Sequence, residues 1–271
     1  ERINEIHQMD DENGKEGLKT SIENKDEGID IKNIMFKYDP HTLHKTIDNV
    51  NIHIPQGKVT AIVGASGSGK TTLIRLMLGY YPVLEGQINI GNTDINTLNK
   101  KWWRRQCGVV MQDGIIFSES IARNIAVDDG DIDKERLLKA AEIACIKDYV
   151  MALPLKFNTK IGRDGVGLSQ GQKQRILIAR AVYKNPDYIF LDEATNSLDA
   201  NNERSIVENL DKFYKGKTVV IVAHRLSTVK NADQIVVIDH GKVVEVGNHE
   251  SLTAKRGTYY NLVKNQLELG N

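Results

Sequence analysis

The sequence predicts an α/β protein built on a mainly parallel sheet covered on both faces, and three observations predict it. Short β-branched apolar runs alternate with helical periodicity, a glycine-rich turn joins one such run to a helix, and residues 113–185 interrupt the alternation with a long helical stretch. In chain order, residues 1–28 carry nine acids against four bases and few apolar side chains, and read as a solvated linker. Ile29–Tyr38 and Val50–Ile54 have strand patterns, Pro55-Gln56-Gly57 is a turn, and Lys58–Gly64 is a short buried strand feeding the glycine-rich loop and its helix. Gln87–Ile90, closed by Gly91-Asn92, predicts an antiparallel edge, and Gly108–Gln112 another buried strand. Within the helical stretch Leu137, Leu138, Ala141 and Cys145 fall at helical spacing, and a later helix runs from about Ser169 until Asn185-Pro186 stops it. Alternation resumes with strand Tyr188–Leu191, a helix with Ile206, Leu210 and Phe213 on one face, strand Thr218–Ala223 and a hairpin across Asp239–Gly241.

Composition narrows the function classes. The 271 residues are 40% hydrophobic and 27% charged, enough for one large domain or two closely packed subdomains. Lys plus Arg and Asp plus Glu both number 36, so no net field draws the chain to nucleic acid or to an anionic membrane surface. The longest apolar runs, Val59–Val63 and Thr218–Ala223, are too short to span a bilayer, and the N-terminus lacks a signal-peptide pattern. The first residue is Glu1 rather than Met, which leads us to expect a piece of a longer protein. Cys107 and Cys145 lack metal-ligand spacing and are expected as reduced core thiols.

The strongest local signal is Gly64-Ala65-Ser66-Gly67-Ser68-Gly69-Lys70-Thr71, which fits the phosphate-binding pattern G-x-x-x-x-G-K-[ST] in the required strand-to-helix setting. Glycines let backbone N–H groups close around phosphate oxygens, and the helix that follows presents its positive end. Lys70 is placed to reach the β- and γ-phosphates, and the Thr71 hydroxyl to ligate Mg²⁺. Downstream, strand Tyr188–Leu191 ends in Asp192-Glu193. Such an acidic pair alone commonly caps a helix; beside a phosphate loop, Asp192 suits the metal and Glu193 the attacking water. Two further strands deliver Gln112 and His224. Together Gly64, Gln112, Asp192 and His224 are expected on the one sheet edge where open α/β folds bind ligands.

Between these motifs lies Leu168-Ser169-Gln170-Gly171-Gln172, which resembles the Leu-Ser-Gly-Gly-Gln signature of ABC transporters, and the order of motifs from about Ile29 to Gln266 is that family's. The resemblance implies a P-loop NTPase (RecA-like) core with an antiparallel β subdomain and a helical signature subdomain at about 113–185, the whole domain spanning 29–271. It implies ATP and Mg²⁺ held by Gly64 through Thr72, adenine stacked on Tyr38, Gln112 as the Q-loop glutamine that also meets the metal, Ser197-Leu198-Asp199 as the D-loop and His224 as the switch histidine. For Tyr38 a plain packing role stays open. Catalysis is thus assigned to Glu193, His224, Lys70 and Gln112, and the metal to Thr71, Gln112 and Asp192. Ser169, Gly171, Gln172 and Asp199 are expected at the nucleotide of a second copy, because in this family two cassettes pair head to tail around ATP.

Two departures stand out. Gln170 replaces the usual signature glycine, and its side chain is expected to face away from the nucleotide. Thr159-Lys160-Ile161-Gly162-Arg163-Asp164-Gly165 resembles the exporter-type segment with its charge pair in reversed order. That segment, Glu1–Ile6, the stretch Gly241–Glu250 and Gly257-Thr258-Tyr259-Tyr260 resemble exporters; Trp102-Trp103-Arg104 with Val109–Asp113 is similar to bacterial peptide and bacteriocin exporters, some of which carry an N-terminal peptidase domain. The expectation is an ATPase that drives export, with peptides as cargo. It would work at the cytoplasmic face of a bacterial plasma membrane, touching the membrane only through the transmembrane domain of the same transporter. The alternative is a soluble ABC-type ATPase of DNA repair or translation. Against it, only about a hundred residues separate Lys70 from Ser169, no heptad run exists, and a single cassette is present.

Overall fold

The computed structural model describes residues 17–127, 130–194, 200–223 and 226–269. Strands β1 (Ile29–Phe36) and β2 (Ile47–Ile54) open a four-stranded antiparallel sheet, and β3 (Val59–Val63) leads through the glycine-rich loop into helix α1 (Lys70–Met77). β4 (Glu85–Ile90) and β5 (Thr93–Asp94) complete that first sheet in the order β2-β1-β4-β5. Helix α2 (Lys100–Gln106) then runs directly into β6 (Cys107–Val110). The helical stretch comprises α3 (Ile121–Ala126), α4 (Lys134–Ile143), α5 (Lys147–Ala152) and α6 (Gln170–Lys184). After it come β7 (Tyr188–Asp192), α7 (Ala200–Phe213), β8 (Thr218–Val222), α8 (Leu226–Val229), β9 (Gln234–Asp239), β10 (Lys242–Gly247), α9 (His249–Lys255) and α10 (Thr258–Leu269).

The second sheet has the order β10-β9-β3-β8-β7-β6, parallel from β9 through β6, with β10 antiparallel at the edge. Its inner strands are apolar on both faces, and alternate residues enter different cores, whereas edge strand β10 has no fully buried residue. Ala61, Val63, Ile189, Leu191, Val219, Ile221, Ile235 and Val237 join helices α3, α4, α6 and α7. Ile62, Tyr188, Phe190, Val220, Val222, Val236 and Ile238 join α1 and the antiparallel sheet. Each buried aliphatic side chain contributes about 1.5–3 kcal/mol over exposure, so a one-residue slip of any central strand would reverse both cores. Trp103 fastens the second core: it is fully buried, its indole N–H donates to Met77 O at 2.8 Å, and its ring meets Tyr188 edge-on at 5.0 Å.

Elements end sooner than periodicity predicts at three points. β1 stops at Phe36 rather than Tyr38, and β6 at Val110 rather than Gln112, where the Gly114 N–H closes a turn on Met111 O at 3.1 Å. Helix α4 stops at Ile143, and Cys145 lies past it with φ 51 rather than on its apolar face; Leu138 is more than a third exposed. Both cysteines are free thiols, and full burial pushes that of Cys107 well above its ordinary range. The hairpin turn at His240-Gly241 takes positive φ at both residues, 47 and 76, the twist that suits a tight two-residue connection.

Candidate nucleotide site

The glycine-rich loop is held by backbone on three sides. The Gly241 N–H of the β9–β10 turn donates to Ser68 O at 3.1 Å, and the Ser68 N–H closes on Ala65 O at 3.2 Å. A Cβ on Gly69, whose φ is 108, would press to 2.8 Å on Thr46 O, and one on Gly64 would collide with Ile238 O. Ala65, Ser66 and Gly67 form the exposed tip, whereas Ser68 is buried with its hydroxyl unpartnered. Gly69 caps α1 without a side chain, so the helix's first N–H groups face the loop.

Lys70 bends back under this loop, its ammonium donating to Gly64 O at 2.9 Å and to Ala65 O at 2.7 Å. Burial pushes its pKa down, and Glu193 and then Asp192 offset part of that. Asp192, the last residue of β7, is 1% exposed, and burial pushes its carboxyl upward. The Thr71 hydroxyl, Arg75 and Lys70 pull the other way, but neither Asp192 oxygen has a partner within hydrogen-bond distance among the described residues. A buried carboxylate facing a threonine hydroxyl, with both oxygens unsatisfied, fits a hard cation that takes one or two protein oxygens and completes its shell with phosphate and water. Glu193 follows in the left-handed region, φ 53, tied by its N–H to Val222 O at 3.0 Å. For a non-glycine residue that backbone costs on the order of 1–2 kcal/mol, and it turns the chain sharply at the strand end.

Because β3, β8, β7 and β6 are parallel, Gly64, Asp192 and Gln112 emerge at one sheet edge; Gln112 is exposed in the turn after β6. Asp199 with the rest of Ser197-Leu198-Asp199, and His224, lie outside the described residues. Tyr38 stands half exposed beyond β1, its hydroxyl 3.0 Å from Thr72 Oγ1 and its ring edge-on to Phe36 and Tyr81.

Ser169 and Gly171 begin α6, which packs with α3, α4 and β6; among the described residues neither they nor Gln172 hydrogen-bonds to the phosphate loop. The Ser169 hydroxyl accepts the Gln172 N–H at 3.2 Å and the Gln172 side-chain oxygen accepts the Ser169 N–H at 2.8 Å, a reciprocal cap. Gln170 is exposed in ordinary helical backbone, where no positive φ calls for glycine. Sequence reading missed the residues that wire Gln112's loop to this helix. Arg180 of α6 donates to Ile115 O at 3.0 Å and Asn124 O at 2.8 Å, and buried Asn124 both donates to Phe117 O and accepts its N–H. Gly114 packs against Leu177 of the same helix, where a Cβ would clash. The Thr159–Gly165 segment zips to this loop through Ile161 N–H to Glu119 O and Arg163 N–H to the Ser118 hydroxyl.

A phosphate loop beside a buried acidic strand end, with a capped signature helix packed among the helices of the 113–185 stretch, defines an ATP-binding domain of the P-loop class. The family described as ABC transporter matches residues 47–196, and the chain belongs to it. The leukotoxin translocation ATP-binding proteins of Mannheimia haemolytica and Bibersteinia trehalosi are each 44% identical over 241 residues, covering 89% of this chain but 34% of their own length. A solved bacterial Atm1-family ABC exporter with ATP bound superposes with a TM-score of 0.86 at 33% identity, over 91% of this chain and 43% of the exporter. The chain thus spans about a third of the curated relatives it matches. No helix among the described residues is long and apolar enough to cross a membrane.

Proposed function

We propose that the chain is the ATP-hydrolysing engine of a membrane exporter, with residues 1–28 linking a transmembrane domain to the ATPase domain at 29–271. The observation that carries the hydrolytic assignment is the meeting of buried Lys70, unsatisfied Asp192 and Glu193 at the foot of the phosphate loop. In this reading Gly64–Thr72 grip the phosphates, Tyr38 stacks on adenine, and Lys70 leaves the loop carbonyls for the terminal phosphates. Thr71 and Asp192, with Gln112, would hold Mg²⁺, which neutralises phosphate charge when bound. Glu193 accepts a proton from water as the water oxygen bonds to the γ-phosphorus and the bond to ADP breaks. His224 contacts the γ-phosphate.

Ser169 and Gly171 begin a helix and are exposed or half-buried, with no hydrogen bond to the phosphate loop among the described residues, which supports their serving the nucleotide of a second copy; Asp199 is assigned there with them. ATP then bridges two cassettes head to tail, and loss of the γ-phosphate contacts releases them. The likeness to leukotoxin translocation ATP-binding proteins of bacteria supports a peptide or protein cargo, and the reading puts the engine at the cytoplasmic face of a bacterial plasma membrane, where ATP is supplied. A role in DNA repair or translation finds no support among them.

Glu193→Gln tests this reading, because it removes the proton acceptor while sparing the phosphate contacts. Turnover should fall on the order of a hundredfold or more, and ATP with Mg²⁺ should shift the variant to a dimer in size-exclusion chromatography. A monomer at saturating ATP, or turnover near that of the parent chain, overturns it.

A further inference from the structure

Arg75 sits one turn into α1, half-buried, and its guanidinium Nη1 lies 3.3 Å from the Tyr38 hydroxyl. The same hydroxyl lies 3.0 Å from Thr72 Oγ1. Guanidinium carries donors and no acceptor, so Arg75 must donate to the Tyr38 oxygen. Tyr38 has a single proton; the charge-assisted donation from Arg75 to its oxygen makes that proton a stronger donor, and Thr72 Oγ1 is the acceptor within reach among the described residues. Thr72 is 5% exposed and makes no other side-chain hydrogen bond among the described residues, so its own proton is left to point onward as a donor. The reversed middle bond would have the Tyr38 oxygen accept from both neighbours and leave its proton to solvent, forgoing the polarisation that Arg75 supplies.

We propose that Arg75 is a positioning residue for nucleotide binding. It sets the direction of an Arg75-to-Tyr38-to-Thr72 hydrogen-bond chain so that the buried Thr72 hydroxyl donates to a phosphate oxygen of the nucleotide. Two consequences follow from the one chain. The adenine platform is tied by its far end to the first turn of the phosphate helix, so base and phosphate are gripped by one rigid unit. The ring stays in place through its edge contacts with Phe36 at 5.0 Å and Tyr81 at 5.3 Å, which do not involve the hydroxyl. Arg75 also places positive charge near Asp192, opposing the rise that burial imposes on that carboxyl. The inference rests on the ATP-site reading above, in which Tyr38 and Thr72 line the nucleotide.

The experiment is a mutant cycle on ATP affinity, measured by calorimetry on the chain with Mg²⁺. Arg75→Met and Tyr38→Phe should each weaken ATP binding about three- to tenfold, the worth of one ordinary hydrogen bond, and the double variant should lose no more than either alone. In a Thr72→Val background Arg75→Met should cost less than about twofold, since the chain has no end to polarise. Arg75→Lys, still a donor, should recover most of the loss, and in Arg75→Met the effect should fall on KM for ATP with kcat at saturation nearly kept. Additive losses, or an Arg75→Met affinity equal to that of the parent chain, overturn the proposal. If Arg75→Met does not fold, the coupling between Tyr38→Phe and Thr72→Val decides: independence sinks the chain. Failure of the parent chain itself to bind ATP would instead overturn the underlying site reading.

Discussion

Asp192 ends a strand with its carboxylate buried and both oxygens unsatisfied, beside Lys70, Arg75 and the Thr71 hydroxyl. In the nucleotide-free chain this is a cost, because burial disfavours the ionised form and raises the folded pKa above its unfolded value near 3.8. A raised carboxyl makes the folded state bind more protons, so its contribution to stability is greatest below the unfolded pKa and declines as pH rises through the folded one. Asp192→Asn removes that dependence and leaves Glu193, the larger of Lys70's two carboxylate partners, in place. Melts without Mg²⁺ or nucleotide should show the variant more stable at pH 8 by roughly 2–4 °C, on the order of 1 kcal/mol, with the gap shrinking toward pH 4. A gap independent of pH, or a parent chain more stable at pH 8, contradicts this account. The roles proposed for Lys70, Thr71 and Asp192 could be read from sequence because the chemistry is carried by neighbours in the chain around one loop and one strand end. The left-handed backbone of Glu193 could not, since glutamate has no local preference for φ 53 and the β7–β8 ladder imposes it.

At the scale of elements, the signature helix shows how one residue serves both fold and site. Ser169 and Gln172 cap α6 reciprocally, so Gln172, expected at a nucleotide, spends its side-chain oxygen on the Ser169 N–H. Ser169→Ala should therefore lower the melting temperature of the free chain by roughly 2–4 °C, the cost of about 1 kcal/mol for a lost N-cap. Gln172→Glu keeps the reciprocal bond and adds negative charge at the positive helix end, so it should melt at or above the parent temperature, whereas Gln172→Ala should melt below it. Equal melting of the Glu and Ala variants would show that the cap carries no stability. The serine-x-x-glutamine spacing signals this cap, and the signature resemblance assigns the same residues a second role. Strand interiors were legible through their β-branched runs; strand and helix ends were not, because turns such as Met111–Gly114 and the Cys145 bend depend on contacts made elsewhere in the fold.

For the whole molecule, the decisive fact is which parts the sheet order brings together. Neighbours β3, β8, β7 and β6 come from distant stretches of chain, and no periodicity reports their order, so sequence predicts the shared edge only through general α/β geometry, and the registers supply it. That edge gathers Gly64, Asp192 and Gln112, while Ser169 and Gly171 make no hydrogen bond to the phosphate loop among the described residues; in the proposed reading the site takes its halves from two copies. Lys70→Ala damages the phosphate half. Gly171→Asp damages the signature half by placing a carboxylate near phosphate, and an acidic residue in a first helical turn favours the helix, so the fold should survive. Each variant alone should be nearly inactive. Mixed in equal amounts with ATP and Mg²⁺, they should form hybrid dimers with one doubly damaged site and one intact site, recovering up to about a quarter of parental turnover if subunits pair at random. A site built within one copy predicts no recovery at any mixing ratio, because every copy then carries its own defect. Turnover that stays at the level of the separate variants, under conditions where dimers are seen by chromatography, would therefore place the signature and the phosphate loop on the same nucleotide in the same chain.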